Sequence, residues 1–394
     1  MNFVDALVLV LLLGAAWSGF RRGLISSSIA LVGAIGGAIV GIRLAPLLMS
    51  HVQDNTAKVA LGIACVILGV GIGEIAGSTV GKALAGRVTW RPAKAIDHGL
   101  GLVGHTAAVL VVTWMLAVPL ASAPFPSLAT AVRSSSVLGA VDRVMPAGMR
   151  DISAGMRRLL DDSGFPAILD PLTPTPQVQV RAPDTGLAAS ATLRAAGRSV
   201  LKIRGLADSC SRRIEGSGFV IGPGKVMTNA HVVAGTNAVV VEQGASKLPA
   251  TVVLYDPDRD LAVLDVSGLS RPALKFAKAP AKTGNSAVPA GYPLDGPFTL
   301  TPGRVGGRIT LNGPNIYSSR TVRRDVYTLR VEVRAGNSGG PLLAADGSVL
   351  GVVFGAAIAE PDVGFAVTAA EAAPVVAAGL KDDSAAATGA CIAE

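Results

Sequence analysis

Aromatic side chains make up only 4% of this 394-residue chain and charged ones 16%, and there are three cysteines and four histidines. The cysteines form no Cys-x-x-Cys pair and no cluster with histidine, so no metal site is expected. Lysine and arginine leave a formal charge of +8, yet no basic run interleaves with aromatics, which argues against nucleic acid as a partner. No cofactor is called for. The chain is instead rich in apolar residues, at 50%, and in glycine, with 47. For a water-soluble protein that is lopsided. The bias is also uneven: residues 1–122 contain long stretches almost free of charge, whereas residues 123–394 are charged at normal density.

Four apolar runs stand out: Val4–Phe20, Leu24–Met49, Val59–Val80 and Leu100–Ser122. Each is near the roughly 20 residues that cross about 30 Å of hydrocarbon as a helix, and each is apolar all round rather than on one face. Residues 1–122 are therefore expected to form an all-α transmembrane bundle of about four helices, with the lipid bilayer as partner. In the first run the basic residues follow the apolar stretch, which is not the order of a signal peptide. Arg21 and Arg22 lie between runs one and two, and Lys82, Arg87, Arg91 and Lys94 between runs three and four. By the positive-inside rule both loops are cytoplasmic, so both termini and everything after Ser122 lie outside.

Gly33, Gly37 and Gly41 form a four-residue ladder on run two, and Gly69, Gly73, Gly77 and Gly81 one on run three. Such ladders let helix backbones approach closely, and make helix–helix self-association a candidate interaction. Glu74 and His105 share a depth in their spans; mutual contact, or hydration near the interface, would satisfy each.

Residues 123–180 read as a connecting region. Arg150–Leu160 has the pattern of a short amphipathic helix, and Pro171–Pro183 that of an extended Pro-rich linker. Residues 181–394 form the second domain, beginning with a helical stretch, Gly186–Ala196, and a strand, Ser199–Ile203. Short β-rich runs then alternate with turns: Gly218–Ile221, Ala238–Val241, Ala250–Leu254, Leu261–Val266 and Val349–Phe354. That spacing points to an all-β sandwich or barrel.

Three local signals follow one another in this domain. His231 stands where a strand gives way to a turn, in Thr228–Val233. Asp256, Asp258 and Asp260 are all candidate acids, and Asp260 directly precedes the apolar strand Leu261–Leu264. Ser338 sits in Gly336-Asn337-Ser338-Gly339-Gly340-Pro341. A nucleophilic serine needs an exposed hydroxyl and free backbone amides to bind an oxyanion, and flanking glycines permit both. The amides of Gly336 and Ser338 are assigned to that hole. Histidine, aspartate and serine in this order are the chymotrypsin arrangement.

Asp5 and the stretch Gly19-Phe20-Arg21-Arg22-Gly23-Leu24 make the first domain resemble the colicin V production (CvpA) family. Residues 199–370 resemble the trypsin-like proteases of the HtrA/Do branch. The matching stretches are Gly216–Val220, Thr228–Val233, Asp260–Leu264, Pro302–Val305, Gly336–Leu342 and Gly364–Val367. Together the two halves resemble the actinobacterial MarP-type membrane serine proteases. The resemblance implies a chymotrypsin-like double β-barrel with Asp260 as the triad acid. It also implies a specificity strand, Val352–Ala357, whose Val353, Phe354 and Gly355 line the substrate pocket, with Glu332 near the pocket base. Two departures count. Asn337 replaces the aspartate that pairs with a freshly cut N-terminus in zymogen-type trypsins, so such activation is not expected. The chain also ends soon after Val367, leaving no room for the PDZ domain common in HtrA proteins.

The function implied is a multi-pass inner-membrane serine endopeptidase that cleaves extracytoplasmic (periplasmic) proteins or peptides through an acyl-enzyme. The resemblance further implies envelope maintenance under stress, especially acid. The rival reading is an idle protease fold serving as a sensor or binding module on a membrane scaffold or channel. Finally, Cys210 and Cys391 are the only cysteines of the expected extracytoplasmic part, an oxidising setting, so they are expected to pair.

Overall fold

The computed structural model describes residues 2–49, 55–87, 90–121, 126–146, 149, 168–169, 173, 175–176, 178–357, 360 and 362–392. The helix expected over Arg150–Leu160 lies outside the described residues. The chain divides into two compact units, Met1–Asp161 with Pro171–Pro174, and Asp162–Asp170 with Thr175–Glu394.

The first unit contains α1 (Phe3–Arg22), α2 (Leu24–Met49), α3 (Asn55–Ala85) and α4 (Arg91–Leu120). All four are long and apolar enough to cross a membrane. Helix α4 begins well before the expected Leu100. Pro92 occupies its first turn, where a missing N–H costs nothing, and Asp97 on the added length accepts the Ile25 N–H at 3.0 Å, capping α2. The glycine ladders face each other within the chain. A Cβ on Gly33 or Gly37 would run into the backbone of Gly73 or Gly69, and the reverse substitutions would do the same. Glu74 approaches Arg22 at 3.7 Å rather than bonding His105, and the buried His105 Nδ1 has no hydrogen-bond partner among the described residues.

Two short amphipathic helices, α5 (Pro126–Arg133) and α6 (Ser136–Val144), follow. Their Val132, Leu138 and Val141 pack with Val4, Val8, Trp114 and Val118. Asp5 ties them down: fully buried, it accepts the Ser135 hydroxyl at 2.6 Å and the Val137 N–H at 3.1 Å. Trp114 Nε1 donates to Asp142 at 2.9 Å.

The second unit opens with α7 (Ala191–Gly197) and then builds one closed barrel from β1 (Val200–Ala207), β2 (Arg212–Gly222), β3 (Lys225–Thr228), β4 (Ala238–Gln243), β5 (Ser246–Asp256) and β6 (Leu261–Val266). The strand order is β1-β2-β3-β6-β5-β4. The remaining strands are β7 (Ser286–Gly291), β8 (Thr299–Leu300), β9 (Gly303–Pro314), β10 (Thr321–Arg330), β11 (Pro341–Leu343), β12 (Val349–Ala356) and β13 (Val363–Thr368). Their order is β11-β12-β13-β10-β9-β7-β8, and β11 pairs back onto β7, which brings the sheet round on itself. This is the expected double barrel. Val220, Val226, Val241 and Leu264 fill the first barrel, Val305, Tyr327, Leu342 and Val353 the second. A third cluster, including Phe219, Met227, Phe354 and Phe365, draws on strands of both.

The stretch read as a linker is partly docked. Val178 packs against the core, Arg330 donates to Val180 O at 2.5 Å, and Arg304 Nε donates to Ala182 O at 2.8 Å. After β13 come α8 (Ala369–Gly379), capped by the Thr368 hydroxyl, and the C-terminal tail. That tail is fastened by the Cys210–Cys391 disulfide, whose Cα atoms lie 6.5 Å apart.

Candidate active site

The turn from β5 to β6 sorts its three aspartates. Asp256 Oδ1 accepts the N–H groups of Asp258 at 3.1 Å and Arg259 at 2.9 Å, a side-chain-stabilised turn. Asp258 pairs with Arg320 and accepts Asn315 Nδ2 at 3.2 Å. Burial would push the Asp258 carboxyl up, but the Arg320 and Asn315 bonds hold it below its ordinary value. Asp260 is left to turn inward. Its φ is +57°, a left-handed conformation unusual for a residue with a Cβ, and it is 1% exposed.

Both carboxylate oxygens of Asp260 are used by His231. Oδ1 accepts the His231 backbone N–H at 3.0 Å, and Oδ2 lies 2.7 Å from Nδ1. Asn229 Nδ2 donates to Asp260 O at 2.6 Å, which fixes the turn from the other side. Placing the Nδ1 proton toward a carboxylate leaves the Nε2 lone pair of a neutral imidazole free to accept a proton. His231 Nε2 is buried and has no hydrogen-bond partner among the described residues, so it is not bonded to Ser338 Oγ. Such a bond is often loose without substrate and tightens in the complex.

The serine turn is clamped on both sides. Ser217 N–H donates to Ser338 O at 2.8 Å, and the Ser217 hydroxyl donates to Gly336 O at 2.6 Å while accepting the Tyr292 N–H at 2.9 Å. On the far side Gly339 N–H donates to Val353 O and Val353 N–H to Gly340 O, each at 2.9 Å. Gly336 has φ +90° and Gly339 φ +81°, values at which any Cβ would be strained. Among the described residues, the N–H groups of Gly336 and Ser338 donate to no protein acceptor. The arrangement therefore offers a carboxylate-oriented imidazole, a serine held in a rigid turn and two unengaged amides beside it. That set suits acyl transfer.

The specificity-strand residues fare differently. Val353 and Phe354 are 0% and 1% exposed, their side chains inside hydrophobic clusters, so β12 can meet a substrate there only through its backbone. Glu332 is not at a pocket base: its side chain is 55% exposed and pairs with Arg334 at 2.7 Å. Ser217 stands out in the sequence only as part of a matching stretch. Its clue is the small hydroxyl between two glycines, but the partner it clamps lies 119 residues away.

Residues 216–352 match the family model of the trypsin-like peptidase domain, and residues 4–146 that of colicin V production protein. The serine protease Rv3671c of Mycobacterium tuberculosis is 43% identical over 393 residues, 99% of each chain. The chain belongs to the Rv3671c (MarP) family of serine proteases. A crystal structure of the Rv3671c protease in its active form superposes with a TM-score of 0.55 at 49% identity, covering 57% of this chain and all of that one. A probable DegP-like periplasmic serine endoprotease of Chlamydia pneumoniae is 35% identical over 144 residues, 35% of this chain and 28% of that protein. As a member of the family, the chain is an enzyme, a trypsin-like serine protease preceded by four apolar helices.

Proposed function

We propose that Ser338 is the nucleophile, His231 the general base and acid, and Asp260 the residue that orients the imidazole, in an endopeptidase acting on proteins or peptides outside the cytoplasmic membrane. Ser338 Oγ attacks the scissile carbonyl as its proton passes to His231 Nε2. The oxyanion is received by the amides of Gly336 and Ser338, and His231 then protonates the leaving amine. Water repeats the sequence on the acyl-enzyme. The observation that carries the reading is the double use of the Asp260 carboxylate by His231, at 3.0 and 2.7 Å. It is costly to build around a buried carboxylate and has an evident use in proton transfer.

The extracytoplasmic side is supported by the basic loops, by the disulfide and by the likeness to proteins named as periplasmic. A part in withstanding acid stress of the envelope rests on the family resemblance.

Purified full-length protein should react with a fluorophosphonate probe, and Ser338→Ala should not, with kcat lower by on the order of 10⁶-fold. Labelling of Ser338→Ala at the wild-type rate would place the nucleophile elsewhere, and no labelling of the wild type would favour an idle fold. A cysteine at the exposed Ser384 should react with a membrane-impermeant thiol reagent in intact cells. Reaction only after permeabilisation would put the protease unit in the cytoplasm.

A further inference from the structure

Arg324 lies on β10 of the second barrel and is 3% exposed. A guanidinium this deep normally sits in an ion pair, because burying an unpaired charge is expensive. Among the described residues it has no carboxylate within hydrogen-bonding reach. Nε donates to Asp258 O at 2.6 Å and a terminal nitrogen to Pro314 O at 3.0 Å. Its third contact is the face of Phe354, 5.7 Å from guanidinium carbon to ring centre. Two of these contacts lead toward the site. Asp258 belongs to the tight turn that ends in Asp260. Phe354 follows Val353, whose backbone holds the Ser338 turn through two 2.9 Å bonds.

We propose that Arg324 is a positioning residue for proteolysis: it clamps the Asp260 turn of the first barrel to the strand that braces Ser338. The inference rests on the triad reading given above. The carboxylates facing Arg324 are Asp260, Asp258, Asp256 and Glu371; burial pushes the guanidinium down and these four oppose it, Asp260 foremost. Asp260 in turn faces His231 and Tyr255. Burial, then the bond to Tyr317, pushes the Tyr255 phenol far above its ordinary value, so it brings no charge of its own. Two other cations stand at this turn, and both are matched elsewhere. Arg320 pairs with Asp258, and Arg259 with Asp256 and Glu371.

Losing these bonds would let the Asp260 turn and the strand behind Ser338 shift against each other, so the effect should fall on kcat and not on substrate binding.

The test compares full-length wild type, Arg324→Gln and Arg324→Lys by kcat and KM from pH 4 to 9 and by fluorophosphonate labelling, with thermal melting alongside. Arg324→Gln should lose about tenfold or more in kcat with KM little changed. Arg324→Lys cannot make both bonds, so its kcat should fall as well. A loss of kcat matched by an equal rise in KM, or one that merely follows a lower melting temperature, would mean that Arg324 only supports the fold. If Arg324→Gln does not fold, Arg324→Lys decides: wild-type kcat across the range would overturn the clamp. Wild-type labelling with none in Ser338→Ala must hold in the same series; its failure would sink the triad reading, whereas an unchanged kcat in Arg324→Gln beside it sinks only the role of Arg324.

Discussion

In the helical unit two helices meet backbone to backbone, Gly33 and Gly37 of α2 against Gly73 and Gly69 of α3. In the protease unit the contacts that matter are polar and gather round two turns: Ser217 on Gly336 in one, and Asn229 and His231 on Asp260 with Arg324 on Asp258 in the other. The difference follows from the surroundings each unit must fold in. Lipid gives helices no hydrophobic drive toward one another, so shape and dispersion must bring them together, and polar groups such as Asp5, Asp97 and Arg22 sit near helix ends. Barrel strands in water collapse on apolar cores and satisfy their backbones in ladders. Their polar side chains are then free to place a reactive group. Added bulk should break the first unit, and lost charge or hydrogen bonding the second.

The largest effect should come from bulk. Gly37→Leu drives a side chain into the Gly69 carbonyl and the Gly73 Cα, which are backbone and cannot swing away. Overpacking of about 3 kcal/mol or more is expected, seen as aggregation in detergent and rapid proteolysis of the helices. Gly36, one residue along, has nothing within 4 Å of the added carbon, so Gly36→Leu should behave as wild type. Equal damage from both would mean that added bulk anywhere on this helix, not close approach at Gly37, is the cause.

This contrast also separates what was legible in the sequence from what was not. The glycine ladders, the four apolar spans and the strand Leu261–Val266 are periodic or local, and the structure realises them. The β5–β6 turn could be narrowed to three aspartates by position. The family resemblance picks Asp260 from these, but the physical reason lies with Arg320, Asn315 and His231, which are distant in sequence. Helices α5 and α6 were missed because their reason for folding is Asp5 and Trp114, more than a hundred residues back in one case. The bonds made by Ser217 and Arg324 were invisible for the same reason. A hydroxyl or guanidinium carries no mark of its partner until the two barrels meet.

The disulfide gives a smaller test on the protease side. It closes 181 residues, worth roughly 5 kcal/mol of chain entropy as an upper figure. The tail it pins runs beneath the His231 turn: Gly235 N–H donates to Thr388 O and the Thr388 hydroxyl to Thr236 O, both at 3.0 Å. Reduction should lower the melting temperature of the protease unit and slow fluorophosphonate labelling, with the helices unaffected. An unchanged melting temperature, with both thiols shown alkylated, would leave the tail without a structural part.

The smallest effect concerns one carboxylate. Leu294 and Asp295 both take left-handed φ, 54° and 56°, a strain of about 1–3 kcal/mol each. Lys202 Nζ at 2.7 Å and Arg204 at 2.8 Å hold the Asp295 carboxylate, and Leu294 N–H donates at 2.7 Å to Ala335 O, next to Gly336. Asp295→Asn should let this turn relax and misplace the Gly336 amide, lowering kcat by about tenfold with little change in KM. The pH dependence has a definite sign. The Lys202 bond first, then Arg204 against the effect of burial, holds the Asp295 carboxyl below its ordinary value. Its stabilisation is therefore full above about pH 4 and is lost as pH falls through the depressed value. Glu215 works the other way, since burial and then the charge of Asp295 push its carboxyl up, and this blunts the loss. The melting-temperature gap between wild type and Asp295→Asn should thus close as pH falls through the depressed Asp295 value. A gap that persisted in strong acid would show that the turn is held by something other than this carboxylate.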